Sequence, residues 1–579
     1  MVSTRTETPA GAGKPATRHT VTPMSDTTSG SAAVRTLADE FHQWEFANSP
    51  TWAHMMGDYG HADRFEDATR AAEDATIAAA RGFAERARAI PDDGLTDQDK
   101  ITRDMVAFDA DSQADVAEGR LAELSADPIF GIKVDLQITA PMLALPTVEV
   151  ADALPAKYRA MGQHMSDLAE RHREGVANGR VPARFAVDGV VGQIDEWLAT
   201  DLDDDQMLTT ATAPEGLDAD EWRQSLRAAI EESLRPGLTT FRDVLRDEVA
   251  PVARDDDHVG LLHVPGGPAA YTALLAHHTT TSLGAQEIHD IGLAQIAKLD
   301  EEYAALGQEV FGLDDPAAVR ERLRSDPEGR HTSAEDIVAA SEAAFAKARE
   351  AMPQWFGRLP QAECIVQATT HGAAAYYYPP ADDGSRPGTF FVNTEPPSRW
   401  GRHEIEALAY HEGIPGHHLQ LAIATELTDL PDYRRHVNFN AYAEGWGLYT
   451  ERLADEMGLY SGQLERLGML TMDSMRACRL VVDTGIHALG WSRQQAVDYM
   501  AAHCAMAVEG VQAEIDRYIT HPGQATSYMI GRLELLRIRA EAKQRQGEAF
   551  EVSAFHDAVL DSGSMPLTVL EQVVETRLA

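Results

Sequence analysis

The sequence predicts a mostly α-helical protein with one small β-sheet. Three observations lead there. Ala-, Glu-, Arg- and Leu-rich stretches dominate and long β-branched runs are few, which favours helix. Apolar residues recur at helical spacing through most of the chain. Only residues 361–395 have β-type composition, in IVQAT, AAAYYYP and GTFFVNTEP, with turn residues such as PPADDGSRPG between them.

The N-terminal MVSTRTETPAGAGKPATRHTVTP lacks the apolar core of a secretory signal. Its Thr, Pro, Gly and Ala content predicts a disordered tail over 1–30, with Met24 as an alternative start. Helical patterns follow over 32–90, 97–124, 151–178, 186–200 and 219–247. The acidic run DLDDD at 201–205 reads as a solvated loop. A break at PVARDDDHVG divides an N-terminal helical region, 31–255, from a catalytic region, 256–579. In the second region a long helix follows TTTSLGAQE, and another covers 331–350 with Thr332 or Ser333 as N-cap. After the β-type stretch the chain is helical from 403 nearly to its end. No internal repeat is present.

Composition bounds the partners. A net charge of −42 over 579 residues is unsuited to nucleic acid or an anionic membrane, both of which demand a basic face. No run of 18 apolar residues exists to cross a bilayer. The three cysteines, Cys364, Cys478 and Cys504, are far apart and form no C-x-x-C pair. They predict a reduced interior and a cytoplasmic protein.

The chemistry centres on HEGIPGHHLQ, residues 411–420. In H-E-x-x-H, histidines four apart on a helix converge on one metal. Here Pro415 stands at that position and the histidines come at 417 and 418. On a straight helix His417 would point about 120° away from His411, and His418 would lie about 10.5 Å further along the axis. Both fail. Pro415, however, removes the hydrogen bond to the His411 carbonyl, and Gly413 and Gly416 loosen the backbone around it. A bulge absorbing two residues would bring His417 into place. The other reading is a helix end followed by a core histidine. In AYAEGWGLYTERL, residues 441–453, Glu444 is positioned to complete a His₂Glu set, the ligand chemistry of catalytic Zn²⁺ with a fourth position open. Cobalt or manganese would suit the same set less well. Glu412 would then act as general base toward an attacking water.

These segments resemble the DUF885 family of bacterial proteins, which belongs with the gluzincin clan of zinc metallopeptidases. HEGIPGHHLQ, NAYAEGWGLYTERL and RACRLVVDTGIHALGW carry the likeness, supported by FANSPTWAHMMGDYGHADRFEDAT, HVPGGPAAYTALLAHHTTT, DDGSRPGTFFVNT and TSYMIGRLELLRIRAEA. They span residues 32–579. The resemblance implies a two-lobed helical fold with a deep central cleft and a small sheet beside the metal helix. It implies zinc on His411, His417 and Glu444, with His418 as the rival ligand or a partner that orients one. It further implies that FFVNT is an edge strand pairing with substrate backbone, with Asn393 in contact, and that Tyr528 donates to a developing oxyanion. The residues alone read equally as a core strand with a turn asparagine, and Tyr528 as a buried tyrosine with an ordinary hydrogen bond.

Several other residues are candidates from their setting. His487 would stand near the cleft as a catalytic group, with Asp483 orienting it or a ligand histidine. Arg476, Arg479 and Arg539 lie on apolar helices, where a buried arginine needs a partner. That partner is either a structural carboxylate or a substrate carboxylate held bidentately. His277 and His278 read as helix-end packing. Of Tyr376, Tyr377 and Tyr378, at most one can face a cleft. The expected function is zinc-dependent hydrolysis of short or unfolded peptides. A zinc amidohydrolase acting on a non-peptide amide, a non-catalytic peptide-binding protein and a purely structural helical protein are the alternatives.

Overall fold

The protein is described by a computed structural model covering residues 29–131, 136–137, 139, 142–370, 373–381, 384 and 386–579. Most of the tail expected over 1–30 lies outside these residues; the first helix begins at Ser29. The fold is mostly helical with a single small sheet among the described residues.

Local capping signals place the helix starts. Thr96 and Asp99 form a reciprocal capping box at the head of Asp97–Glu118. Of the two candidate caps near 332, Ser333 accepts the Asp336 N–H and starts Ala334–Ala351. Two long helices, α1 (Ala285–Phe311) and α5 (Gln463–Leu489), pack along each other at the centre. Helix α5 is buried almost without interruption from Leu467 to His487, as expected of a helix surrounded on all sides. Its polar side chains must therefore find partners inside the protein.

The packing does not divide the chain at residue 255. Phe41, Met105 and Ala110, from the first helices, belong to one large core together with the whole C-terminal half. A separate core is built from residues between Ala126 and Ala250, with Tyr158, Trp197 and Phe241 inside it. The segment expected to form one N-terminal region thus splits, because its first helices bury their apolar faces against distant parts of the chain.

Strands β1 (Cys364–Thr369), β2 (Ala375–Tyr378) and β3 (Gly388–Asn393) form the sheet in the order β1-β3-β2. β1 pairs parallel to β3, from Cys364 opposite Gly388 to Thr369 opposite Asn393. β2 pairs antiparallel, from Ala375 opposite Val392 to Tyr378 opposite Thr389. This corrects one expectation: FFVNT lies in the central strand, so both its edges are already used and it cannot add a substrate strand. Asn393 is 4 % exposed, its side-chain oxygen accepts the Glu395 N–H at 3.0 Å, and its carbonyl accepts from the Trp400 indole at 2.7 Å. It shapes the end of the strand and is not presented to a substrate.

Among the described residues no helix is long and apolar enough to cross a membrane. Cys364, Cys478 and Cys504 are buried and free, as their spacing predicts.

Candidate metal centre

Helix α2 (Ile405–Glu412) carries the first ligand candidate, and α3 (His417–Thr425) the second. The chain does not bulge within one helix as expected. It leaves helix altogether over residues 413–416 and starts again. The Trp446 indole donates to the Pro415 carbonyl at 3.0 Å, and the His418 N–H to the Gly413 carbonyl at 3.0 Å, which pins the break in place. Gly416 is required there: a Cβ would stand 1.8 Å from the His411 carbonyl oxygen. The break folds back over the end of α2 and brings the His417 ring to 4.8 Å from the His411 ring, at 84°.

Helix α4 (Asn440–Glu456) supplies the third group. Glu444 Oε2 lies 3.5 Å from His411 Nε2 and 3.4 Å from His417 Nε2. The three ligand atoms all fall within 4.8 Å of one another. These separations are long for hydrogen bonds to a charged group. The two separations from Glu444 match the spacing of about 3.4 Å between neighbouring ligands of a tetrahedral ion bound at about 2.1 Å. Two imidazole nitrogens and a carboxylate oxygen are also the donor types that zinc accepts, so the residues fit the metal.

The groups behind the ligands fit it too. His411 Nδ1 lies 2.8 Å from Oε1 of the fully buried Glu451, which fixes the proton on Nδ1 and turns Nε2 toward Glu444. Burial pulls the His411 pKa down, but Glu444 and Glu451 outweigh it and hold it at about 9. Burial raises Glu444 in turn, and the two imidazoles outweigh that, leaving its carboxyl well below the usual range. Gly447 lies between the two glutamates, where a Cβ would be 2.7 Å from the His411 ring. The helix can approach the imidazole only because that residue has no side chain.

Glu451 was not singled out from the sequence, although a signal was there. It follows Glu444 by seven residues, two helical turns, and so shares its face. Asp483, the carboxylate expected in an orienting role, instead accepts the Tyr271 hydroxyl at 2.5 Å and the Gly523 N–H. Glu451→Gln is expected to keep the fold and to weaken zinc binding about 10–100-fold, read by competition with a chelator. Unchanged affinity would remove Glu451 from the site.

The rival histidine is accounted for. His418 is buried, with Nδ1 2.8 Å from the Tyr377 hydroxyl and Nε2 3.1 Å from the Ala362 carbonyl, and burial pushes its pKa down to about 4. It ties α3 to the sheet, with both ring nitrogens engaged. Tyr376 and Tyr378 take the other face of β2, where Tyr376 stacks on Phe391 at 4.9 Å.

Glu412 ends α2, is partly buried, and has no hydrogen-bond or ion-pair partner among the described residues. Tyr528, on α7 (Ser527–Gln546), sets its ring 6.5 Å from the His411 ring, and its hydroxyl makes no hydrogen bond among the described residues. Burial and Glu444 raise the Tyr528 pKa, opposed by nearby arginines, so it stays a proton donor.

Two other candidates do not join the site. His487 is fully buried; Nδ1 accepts the Leu261 N–H at 3.1 Å and Nε2 donates to the Tyr518 carbonyl at 3.0 Å. With both nitrogens engaged it has none to offer a substrate, and it is corrected to a structural residue. Arg539 is corrected likewise: it makes a bidentate pair with Glu456 at 2.7 and 2.9 Å. His277 bonds to Ser112 and His278 to Asn440, as helix-end packing predicts.

Fold and site together define a class: a mostly helical protein with two histidines and a glutamate converging where one helix stops and the next begins. The chain belongs to the DUF885 family, described as "Bacterial protein of unknown function (DUF885)", which matches residues 50–574. It is similar to a solved structure described as "putative lipoprotein" from Colwellia psychrerythraea, with 23 % identity and a TM-score of 0.86 over 95 % of this chain and 99 % of that one. A second, from Shewanella oneidensis and described in the same words with the addition "of unknown function", has 18 % identity and a TM-score of 0.76 over 94 % and 99 %. At these identities the likeness is one of fold. Nothing among the curated proteins matches the chain.

Proposed function

We propose that the protein is a zinc-dependent metallopeptidase of the gluzincin kind, acting on short or unfolded peptides. The observation that carries this reading is the convergence of His411, His417 and Glu444 within 4.8 Å, with Glu412, a carboxylate without a partner among the described residues, directly after His411. Zinc held by these three would supply a Lewis acid that polarises the scissile carbonyl and makes water more acidic.

The chain's own residues do the rest. Glu412 takes a proton from the attacking water, whose oxygen bonds to the carbonyl carbon. The C–N bond then breaks and the leaving nitrogen receives that proton. The Tyr528 hydroxyl donates to the oxyanion that forms in between, and Glu451 keeps His411 in the tautomer the site needs. The gluzincin resemblance adds a central cleft between two helical lobes, which would admit an extended chain and exclude a folded one. A cytoplasmic location belongs to the same proposal. The word lipoprotein in the descriptions of the two structural relatives belongs to those proteins and points away from it.

The test is digestion of a short-peptide library, alongside acyl-anilides, by zinc-loaded protein. Peptide cleavage is expected, lost on treatment with a chelator and restored by zinc. Turnover of the anilides alone would make the protein an amidohydrolase. No turnover with zinc bound would overturn the catalytic reading, and full turnover without metal would overturn the zinc-dependent one.

A further inference from the structure

Three arginines gather near Tyr528, and two of them share one carboxylate. Arg479 places Cζ 4.5 Å from the centre of the tyrosine ring and donates to Glu514 at 2.9 Å and to the Tyr518 hydroxyl at 2.8 Å. Arg517, on α6 (Val508–Thr520), donates to the same Glu514 at 2.9 Å. Arg476, one turn before Arg479 on α5, lies 5.8 Å from the Tyr528 ring and reaches no carboxylate among the described residues.

Its surroundings are poor for a cation. Arg476 is 6 % exposed. Nη1 meets only the Met472 sulfur at 3.0 Å and the Met472 carbonyl at 3.5 Å, and Nε is buried with no partner among the described residues. Nη2 is unbonded there too, yet not sealed from solvent. Burying a guanidinium without a counter-charge is unfavourable. In a chain of net charge −42, carboxylates are not scarce, so the missing partner is a local feature. Arg479 on the same helix and Arg517 beside it both have one.

The position says what would fill the gap. Tyr528 links the two places, its ring 6.5 Å from the His411 ring and 5.8 Å from the Arg476 guanidinium. A peptide whose scissile carbonyl lies at the metal centre has its downstream end within reach of Arg476, since each extended residue spans about 3.3–3.6 Å. The planar guanidinium suits a carboxylate taken by two parallel hydrogen bonds. We propose that Arg476 binds the free α-carboxylate of the substrate, so that the enzyme releases one or two residues from peptide C-termini. This rests on the metallopeptidase reading.

The test compares matched peptides ending in a free acid or an amide, on zinc-loaded wild type and Arg476→Met. Wild type is expected to favour the acid in kcat/KM by about 100-fold, the scale of a lost buried charge partner. In Arg476→Met that ratio should fall toward one with zinc content unchanged, and Arg476→Lys should recover part of it. Because the cation has no carboxylate partner among the described residues, Arg476→Met should also raise Tm, by about 1–3 °C. Equal cleavage of acid and amide by wild type, a ratio preserved in Arg476→Met, or a preference that follows an internal Glu side chain would each overturn the proposal. Failure of the metallopeptidase reading is told apart by calorimetry of uncleaved peptides on zinc-loaded Glu412→Gln. An acid-over-amide preference lost with Arg476→Met would support the anchor without turnover; no such preference would overturn it.

Discussion

Zinc content is expected near one ion per chain in the wild type and in His418→Ala, and near background in His411→Ala, His417→Ala and Glu444→Ala. On the proposed reading, each of the last three variants deletes one of the three groups that would hold the metal. Its cost in affinity should exceed the roughly 10–100-fold that follows from losing an orienting partner, enough to strip the metal during purification. His418→Ala removes hydrogen bonds to Tyr377 and to the Ala362 carbonyl and leaves a void beside the sheet. Its penalty should therefore appear as stability, about 2–4 kcal/mol, read by denaturant unfolding, with the metal retained. Elemental analysis of the four variants separates the two histidines. Zinc lost from His418→Ala but kept in His417→Ala would mean that the helix break is arranged differently from the geometry described above.

The composition of the site was readable from the chain, and its backbone was not. HEGIPGHHLQ supplies residue types whose chemistry is specific, and EGW follows on a segment with a helical pattern, so His411, Glu412, His417 and Glu444 stand out. Whether Pro415 and its two glycines bulge a helix or end it depends on what holds the break open. That is Trp446, from another helix, bonded to the Pro415 carbonyl. Strand order is equally hidden. The β-type composition of 361–395 identifies three strands, but which becomes central follows from register and from packing on α2 and α3, and the central position rules out strand addition at FFVNT.

The arginines and His487 show the same limit from the other side. A polar residue on an apolar helix reads the same whether it serves a site or is satisfied by a distant backbone. Leu261 and Tyr518, which satisfy His487, lie 226 and 31 residues away in sequence. Glu456 and Glu514 likewise decide which arginines are committed. Only the fold distinguishes Arg476, which is left without a carboxylate among the described residues, from Arg479 and Arg539.

Glu412→Gln should lower kcat by about 10³-fold, within the roughly 10²–10⁴ that general acid–base catalysis contributes, while zinc content stays at one and KM changes little. The amide is nearly isosteric with the carboxylate but cannot take a proton, so the substitution removes the chemistry and keeps the shape. Its stability effect should be small, within about 0.5 kcal/mol, because Glu412 has no hydrogen-bond or ion-pair partner among the described residues to lose. The absence of such partners adds to the motif-based reason for expecting a catalytic role. Glu406, on the same helix, shows what a structural glutamate looks like here: it pairs with Lys347 at 2.6 Å and accepts the Ser461 N–H at 2.9 Å. Glu412, beside His411 and without such partners among the described residues, is free to take a proton. A Glu412→Gln protein with wild-type turnover would assign the base elsewhere. One that lost its zinc would make Glu412 part of the metal site, and the sequence order His-Glu would then mark a ligand pair.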